Sequence, residues 1–251
     1  MRMLILSDIH GNLAAFRAVL NQNQGDLIFC LGDLVGYGPD PNECVELAAE
    51  RCAVVLGGNH DLAAAGVIDD QDFASHSKRS LLWTCSVLTP AVRDYLSLLK
   101  PQFVFPEDAA GPILLSHGGP EDPVWSYIFS REDAETAFNS GDFSRCFLGH
   151  THISSAFISE PGPRRARRAC RTFYGNPDTS VETADRSRRL LLNPGSVGFP
   201  RNAAEAPSRK RLDRAISRYA IYDSETGVWH FKALEYDMRD TMKRMIAAGL
   251  W

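Results

Sequence analysis

The side chains with the most chemistry in this 251-residue chain come in five short groups. They are Asp8-Ile9-His10, Gly32-Asp33, Gly58-Asn59-His60-Asp61, His117-Gly118 and Gly149-His150-Thr151-His152. Carboxylate and amide oxygens are hard ligands and imidazole nitrogen is borderline. A site drawing on all three suits Mn, Fe, Zn, Co or Ni better than Ca or Mg, which oxygen ligands alone satisfy. Taken singly, each Asp or Asn reads equally well as a solvated loop residue or a helix cap. Position is what links them. Each group directly follows a short apolar run, and strand ends along one edge of an open α/β sheet are where such folds build their sites.

Those runs define the expected elements. Met3–Ser7, Asp26–Leu31 and Ala53–Leu56 read as strands, and Leu13, Phe16, Val19 and Leu20 fall on one face of a helix ended by Gly25. Asp40-Pro41-Asn42-Glu43 reads as an N-cap, a Pro at the first helical position and a capping Glu, for a helix to about Arg51. This alternation implies right-handed crossovers and a largely parallel sheet. Residues 72–99 read as two helices broken at Thr89-Pro90, with short strands at Pro112–Ser116 and Arg145–Leu148. The remainder changes character: Ser154–Ser159, Arg188–Leu192, Arg218–Asp223 and Val228–Glu235 read as antiparallel strands, the last two joined around Glu225-Thr226-Gly227. Met238, Met242, Met245 and Ile246 then mark one face of a closing helix. Residues 160–187, rich in Pro, Gly, Arg and Ser, and the basic stretch 200–214 read as mobile surface insertions in a single domain spanning 1–251.

Composition excludes several classes. Apolar residues make up 44% of the chain, enough to bury a full core, so disorder is excluded for most of it. The longest apolar stretches, such as Met3–Leu6 and Leu27–Leu31, fall far short of the ~20 residues a spanning helix needs. No apolar region of secretory-signal length follows Met1, so the expected location is the cytoplasm. The six cysteines form no CxxC pair and read as core fillers in a reducing compartment. The net charge of −4 conceals an asymmetry, with 9 basic and 20 acidic residues in 1–150 against 18 and 11 in 151–251.

The motif order DxH, GD, GNHD, H and GHxH resembles the calcineurin-like metallophosphoesterases, over Asp8 to about Arg201. DIHGN (8–12), GDLVGYGPDP (32–41) and LNPGSVGFPRN (192–202) look like the small prokaryotic phosphodiesterase branch rather than the protein phosphatases. The resemblance implies an α/β fold of two facing mixed β-sheets flanked by helices, four layers in all. It also implies two divalent or trivalent transition-metal ions, Mn or Fe foremost. One is assigned to Asp8, His10, Asp33 and His152, the other to Asp33, Asn59, His117 and His150. Asp33 is shared because ions ~3.5–4 Å apart need a common carboxylate to offset their repulsion. A bridging water is acidified toward pKa ~7, and its hydroxide is the implied nucleophile at phosphorus. His60, outside the ligand set, becomes the residue that protonates or stabilises the leaving oxygen, with Asp61 orienting its ring and holding charge on it.

The activity so implied is hydrolysis of small phosphodiesters or nucleotides, cyclic nucleotides and dinucleoside polyphosphates included. The alternatives are a phosphomonoesterase, a nuclease using an Arg-rich loop, or a non-catalytic scaffold of the same fold. The scaffold reading requires lost ligands, and all seven are present. Tyr37 reads either as a substrate contact or as a turn anchor, and Arg201 as a phosphate clamp or a solvated cation. His76 and His230 match no motif and read as a helix surface and a strand face. Arg164, Arg165, Arg167, Arg168 and Arg171 read as a solvated loop in preference to a nucleic-acid contact. Phe199 stands where related sequences commonly have Gln, which changes what that turn can touch.

Overall fold

The computed structural model describes residues 1–23, 25–106, 111–161, 169–201 and 213–251. The first half contains β1 (Arg2–Leu6), α1 (Leu13–Gln22), β2 (Leu27–Cys30), α2 (Pro41–Arg51), β3 (Val54–Val55), α3 (Asn59–Ala64), α4 (Ser75–Val87), α5 (Pro90–Leu98), β4 (Gln102–Phe105) and β5 (Ile113–Ser116). The second contains α6 (Arg131–Ser140), β6 (Arg145–Phe147), β7 (Ser155–Glu160), β8 (Ala169–Tyr174), β9 (Ser180–Glu182), β10 (Arg189–Asn193), β11 (Arg214–Asp223), β12 (Val228–Asp237) and α7 (Arg239–Ala247).

The strands form two six-stranded mixed sheets, ordered β3-β2-β1-β11-β12-β9 and β4-β5-β6-β10-β7-β8. In the first, β1, β2 and β3 are parallel, with Met3 opposite Leu27 and Phe29 opposite Val54, and β11 adds to β1 antiparallel. In the second, β5, β6 and β10 are parallel, while β4 joins β5, β7 joins β10 and β8 joins β7 antiparallel. The parallel strands carry the motif loops, because strands of one direction deliver their C-terminal ends to one edge.

Burial on both faces pins β1 in the middle of the stack. Leu4 and Leu6 face a core shared with α1 and α2, whereas Met3 and Ile5 face the second sheet, packing with Ile113, Leu115 and Leu190. Full burial of each such side chain is worth ~1.5–3 kcal/mol, so a one-residue slip of register has a steep cost. On the far side of the second sheet, Ala134, Ala137 and Phe138 of α6 pack on Cys146, Phe157 and Leu191. Two facing sheets between helical layers result.

Several details differ from the sequence expectation. Residues 160–187 are not wholly an irregular insertion: β8 pairs with β7 (Ser155 opposite Tyr174) and β9 with β12 (Val228 opposite Glu182). Both are edge strands, which tolerate polar and charged residues and so lack a clear apolar alternation. Arg171 lies on β8 and pairs with Glu160 at 3.3 Å, while Arg164, Arg165, Arg167 and Arg168, and residues 202–212, lie outside the described residues. Asp40 does not cap α2 through its side chain; its carboxylate takes the Arg244 guanidinium of α7, a charged partner stronger than a backbone N–H. Met242 and Met245 are buried, but Ile246 is half exposed, one step off the apolar stripe. Thr89 accepts from Val92 N–H at 3.3 Å and starts α5 where the helix break was expected. All six cysteines are free, with Cys30, Cys44, Cys146 and Cys170 buried. Among the described residues, no helix is long and apolar enough to cross a membrane.

Candidate metal centre

The five motif loops converge. Asp8 and His10 follow β1, Asp33 follows β2, Asn59 and His60 open α3 after β3, His117 follows β5, and His150 and His152 follow β6. The loops bond to one another rather than to solvent: Asp8 N–H donates to Gly32 O (3.0 Å), His10 N–H to Asp33 O (2.9 Å) and Gly149 N–H to His117 O (2.9 Å). The last residue of β10 and the segment after it tie both sheets to this edge. Ser196 Oγ donates to Asp8 O at 2.8 Å, and Asn193 Nδ2 donates to Gly149 O at 2.6 Å. Asp8, His10, Asp33, Tyr37, His150 and His152 all have φ between 51° and 65°, the left-handed region that costs ordinary residues of order 1–3 kcal/mol. The sharp turns they make aim their side chains at a common point.

Two buried groups of ligand atoms result, Asp8 with His10, Asp33 and His152, and Asp33 with His117 and His150. Asp33 Oδ2 lies 3.6 Å from His10 Nε2 and 3.5 Å from His117 Nε2. Asn59 Oδ1 is 3.3 Å from His117 Nε2, and His150 Nδ1 is 3.2 Å from the same nitrogen. His152 Nε2 approaches Asp8 Oδ1 at 3.4 Å. The far ring nitrogens are committed: His10 Nδ1 lies 3.0 Å from Val35 O, His117 Nδ1 2.9 Å from Leu31 O, and His152 Nδ1 2.6 Å from Phe199 O. A carbonyl only accepts, so Nδ1 carries the proton in each ring and Nε2 presents a lone pair.

That tautomer leaves His10 Nε2 and His152 Nε2 facing each other lone pair to lone pair at 3.0 Å. Neither oxygen of buried Asp8 has a hydrogen-bond partner among the described residues. Burial pushes the Asp8 carboxyl up to about 7, with the neighbouring Asp33 carboxylate adding to the rise. Burial also holds His10, His150 and His152 well below the usual imidazole range, so the rings are neutral at pH 7. Opposed lone pairs and an unpartnered buried carboxylate repel one another unless a cation lies between them. The donor set, with neutral imidazoles, carboxylates and an amide, fits divalent transition metals.

His60 is buried beside the ligands, its ring centroid 5.0 Å from that of His10, 4.8 Å from Tyr37 and 4.9 Å from Phe73. Its backbone N–H donates to Asp33 Oδ1 at 3.0 Å and so orients the shared carboxylate. The expected role of Asp61 is corrected. Asp61 accepts from Gly58 N–H and Val35 N–H, both at 3.0 Å, and clips the start of α3 to the Asp33 loop instead of bonding the His60 ring. The Tyr37 hydroxyl lies 2.8 Å from Ser77 Oγ, which anchors its turn to α4, and its ring lines the cleft above the candidate ligands. Arg201 lines the same cleft with its guanidinium 5.9 Å from the Tyr127 centroid.

The cleft has a volume of about 680 Å³, and its walls hold residues that no motif marked: Phe73, His76, Trp125, Tyr127 and Trp251. His76 is an exposed residue of α4, as expected, but it stacks toward Tyr37 at 6.0 Å. His230 pairs opposite Ile221 on a strand, away from the cleft. Phe199 stacks on Tyr37 at 4.3 Å, and Tyr127 on His150 at 3.8 Å. No motif or regular spacing in the sequence marks these walls.

Comparison with known proteins agrees with this geometry. The model of the calcineurin-like phosphoesterase family matches residues 1–154. An uncharacterized protein of Methanocaldococcus jannaschii is 32% identical over 247 residues, 96% of this chain and 90% of that one. A metallophosphoesterase from Sphaerobacter thermophilus superposes with a TM-score of 0.80 at 33% identity, covering all of this chain and 95% of its own. A symmetrical bis(5'-nucleosyl)-tetraphosphatase of Buchnera aphidicola is 29% identical over 136 residues, 50% of this chain and 46% of that protein.

Proposed function

Because the chain belongs to the calcineurin-like phosphoesterase family, we propose that it hydrolyses phosphoric diesters or nucleotides at a pair of transition-metal ions, Mn or Fe foremost. The observation that carries this reading is the sharing of Asp33 by two buried ligand groups at the floor of an open cleft. Asp8, His10, Asp33 and His152 would hold one ion, and Asp33, Asn59, His117 and His150 the other. Bound there, the pair supplies a nucleophile drawn from water at neutral pH and positive charge to draw in the phosphate.

The chain's own residues do the rest. The carbonyls of Val35, Leu31 and Phe199 hold three imidazoles in the ligating tautomer, so no proton has to leave before an ion enters. The His60 N–H fixes the rotation of the Asp33 carboxylate, and the His60 ring, lining the cleft, meets the leaving oxygen. Arg201 at the rim, a planar five-donor fork, suits a phosphate oxygen pair. Likeness to a protein named for bis(5'-nucleosyl)-tetraphosphate hydrolysis supports nucleotides among the substrates.

The test is a panel on protein reconstituted with Mn, Fe, Zn, Co or Ni, comparing bis-p-nitrophenyl phosphate, p-nitrophenyl phosphate, cyclic nucleotides and dinucleoside polyphosphates. Diester turnover above monoester turnover, abolished by chelation, is expected. No hydrolysis of any ester with any metal would reject the reading, and a monoester preference would replace it with a phosphomonoesterase.

A further inference from the structure

One of the four candidate ligand imidazoles is held differently from the rest. His10, His117 and His152 each fix their ring by donating from Nδ1 to a carbonyl, those of Val35, Leu31 and Phe199. His150 turns Nδ1 toward the ligand group, 3.2 Å from His117 Nε2, and its Nε2 has no hydrogen-bond partner among the described residues. The Trp125 carbonyl acts on that ring less than burial and the neighbouring His117, His60 and Arg201 do. A histidine without such a partner can turn about its side-chain bonds unless packing holds it. The packing here is Tyr127, whose ring lies nearly face on to it, with 3.8 Å between centroids and 22° between planes.

Tyr127 is itself well held. It sits on the segment that begins at His117 and is tied by its own backbone, Gly118 N–H donating to Pro123 O at 2.8 Å and Gly119 N–H to Ser126 O at 3.0 Å. Asp122 Oδ1 accepts from Val124 and Trp125 N–H at 3.0 and 3.1 Å. Phe129 stacks parallel to the Tyr127 ring at 5.2 Å, and the Tyr174 hydroxyl donates to Phe129 O at 3.5 Å. The free end of the ring meets Arg201, whose guanidinium is 5.9 Å from the ring centroid. Burial raises the pKa of the Tyr127 phenol, and Arg201 opposes the rise by its charge and by a hydrogen bond to the hydroxyl. Arg201 lines both the aromatic cleft and an adjoining space of about 420 Å³ beside Tyr174 and Asn176. A long, flexible side chain between two open spaces can enter either, so an anchor on its fork decides which.

We propose that Tyr127 is a positioning residue with two separable duties: its ring face keeps His150 turned toward the metal pair, and its hydroxyl keeps the Arg201 fork over the phosphate position. The inference rests on the reading of the chain as a metal-dependent phosphoric ester hydrolase. A cation on the phosphate acts in the ground and transition states alike, so loss of its anchor raises KM more than it lowers kcat. The ring acts before any substrate arrives, on the affinity for the ion that His150 would hold.

Tyr127 is 38% exposed, so trimming it leaves the core intact. Tyr127→Phe keeps the ring and loses the hydroxyl. In the Mn-reconstituted variant, KM for bis-p-nitrophenyl phosphate and the calorimetric Kd for inorganic phosphate are expected to rise on the order of 10-fold, the low end for a hydrogen bond to a charged group, with little change in kcat. In Arg201→Gln protein the same Tyr127 change is expected to add nothing. Tyr127→Leu loses the ring as well. Titration of the metal-free protein with Mn is expected to show one of two ions bound on the order of 10-fold more weakly in Tyr127→Leu, and wild-type affinity in Tyr127→Phe. A phosphate Kd unmoved by Tyr127→Phe, or a rise that persists in full in Arg201→Gln protein, would overturn the duty of the hydroxyl. Mn affinity unmoved in Tyr127→Leu, or equally reduced in Tyr127→Phe, would overturn that of the ring. Neither titration needs turnover, so a protein that hydrolyses no ester while both titrations behave as expected would reject the hydrolase reading alone.

Discussion

Asp33 Oδ2 stands between His10 Nε2 and His117 Nε2, at 3.6 and 3.5 Å, so a single carboxylate serves both ligand groups. Replacing it by a neutral amide removes the charge that offsets repulsion between two ions. Asp33→Asn is therefore expected to lower the metal content of both sites together, from about two ions per chain, as read by elemental analysis after saturation with Mn. Wild-type protein that is fully active with one ion would contradict this. His60→Ala, by contrast, is expected to keep both ions and lose ~10²–10⁴-fold in turnover, with a smaller loss for esters of good leaving groups. A variant depleted of metal would make His60 a ligand. Asp61 shows where adjacency in sequence misleads. Neighbouring residues on a helix project about 100° apart, so Asp61 reaches back to Gly58 N–H and across to Val35 N–H, whereas the His60 ring faces the cleft. Asp61→Asn can accept only one of those two bonds well. The expected loss is ~1–3 kcal/mol of stability in denaturant unfolding.

At the scale of elements, the loops between strands and helices carry the strain and the specificity. Gly36 has φ +89°, and a Cβ there would overlap the His60 ring. Gly36→Ala is accordingly expected to lower turnover toward that of His60→Ala while both ions stay bound, measured by parallel kinetics and elemental analysis; unchanged turnover would mean that the ring position is not critical. Ends of the strands bearing ligands were legible because apolar runs such as Met3–Leu6 and Ile113–Leu115 are local signals bounded by motif residues. β8 was not legible. Its Ala-Cys-Arg-Thr-Phe-Tyr sequence lies at a sheet edge, where one neighbour strand and solvent impose no alternation. Short α3 was hidden for another reason, since its Asn59 and His60 serve the site rather than an amphipathic pattern.

At the scale of the whole molecule, the centre is an interface. Asp8, His10, Asp33 and Asn59 come from loops of the first sheet, and His117, His150 and His152 from loops of the second. Ions held there would bridge the two sheets, and a ligand that binds only the folded state stabilises it by about 2.7 kcal/mol at a hundredfold excess over Kd. Chelation is therefore expected to lower the Tm by several degrees in calorimetry, with Mn restoring it; an unchanged Tm would mean that no ion bridges the sheets. The candidate ligands, their order and the strand before each were legible in the sequence because motif residues and hydrophobic runs are local features. The cleft does not. Tyr37, Phe73, Trp125, Tyr127, Phe199 and Trp251 share no spacing, and Tyr174 belongs to a segment expected to be an insertion. They meet only because two twisted sheets stack face to face and bring turns more than a hundred residues apart to one edge, a juxtaposition set by long-range packing that no local period encodes.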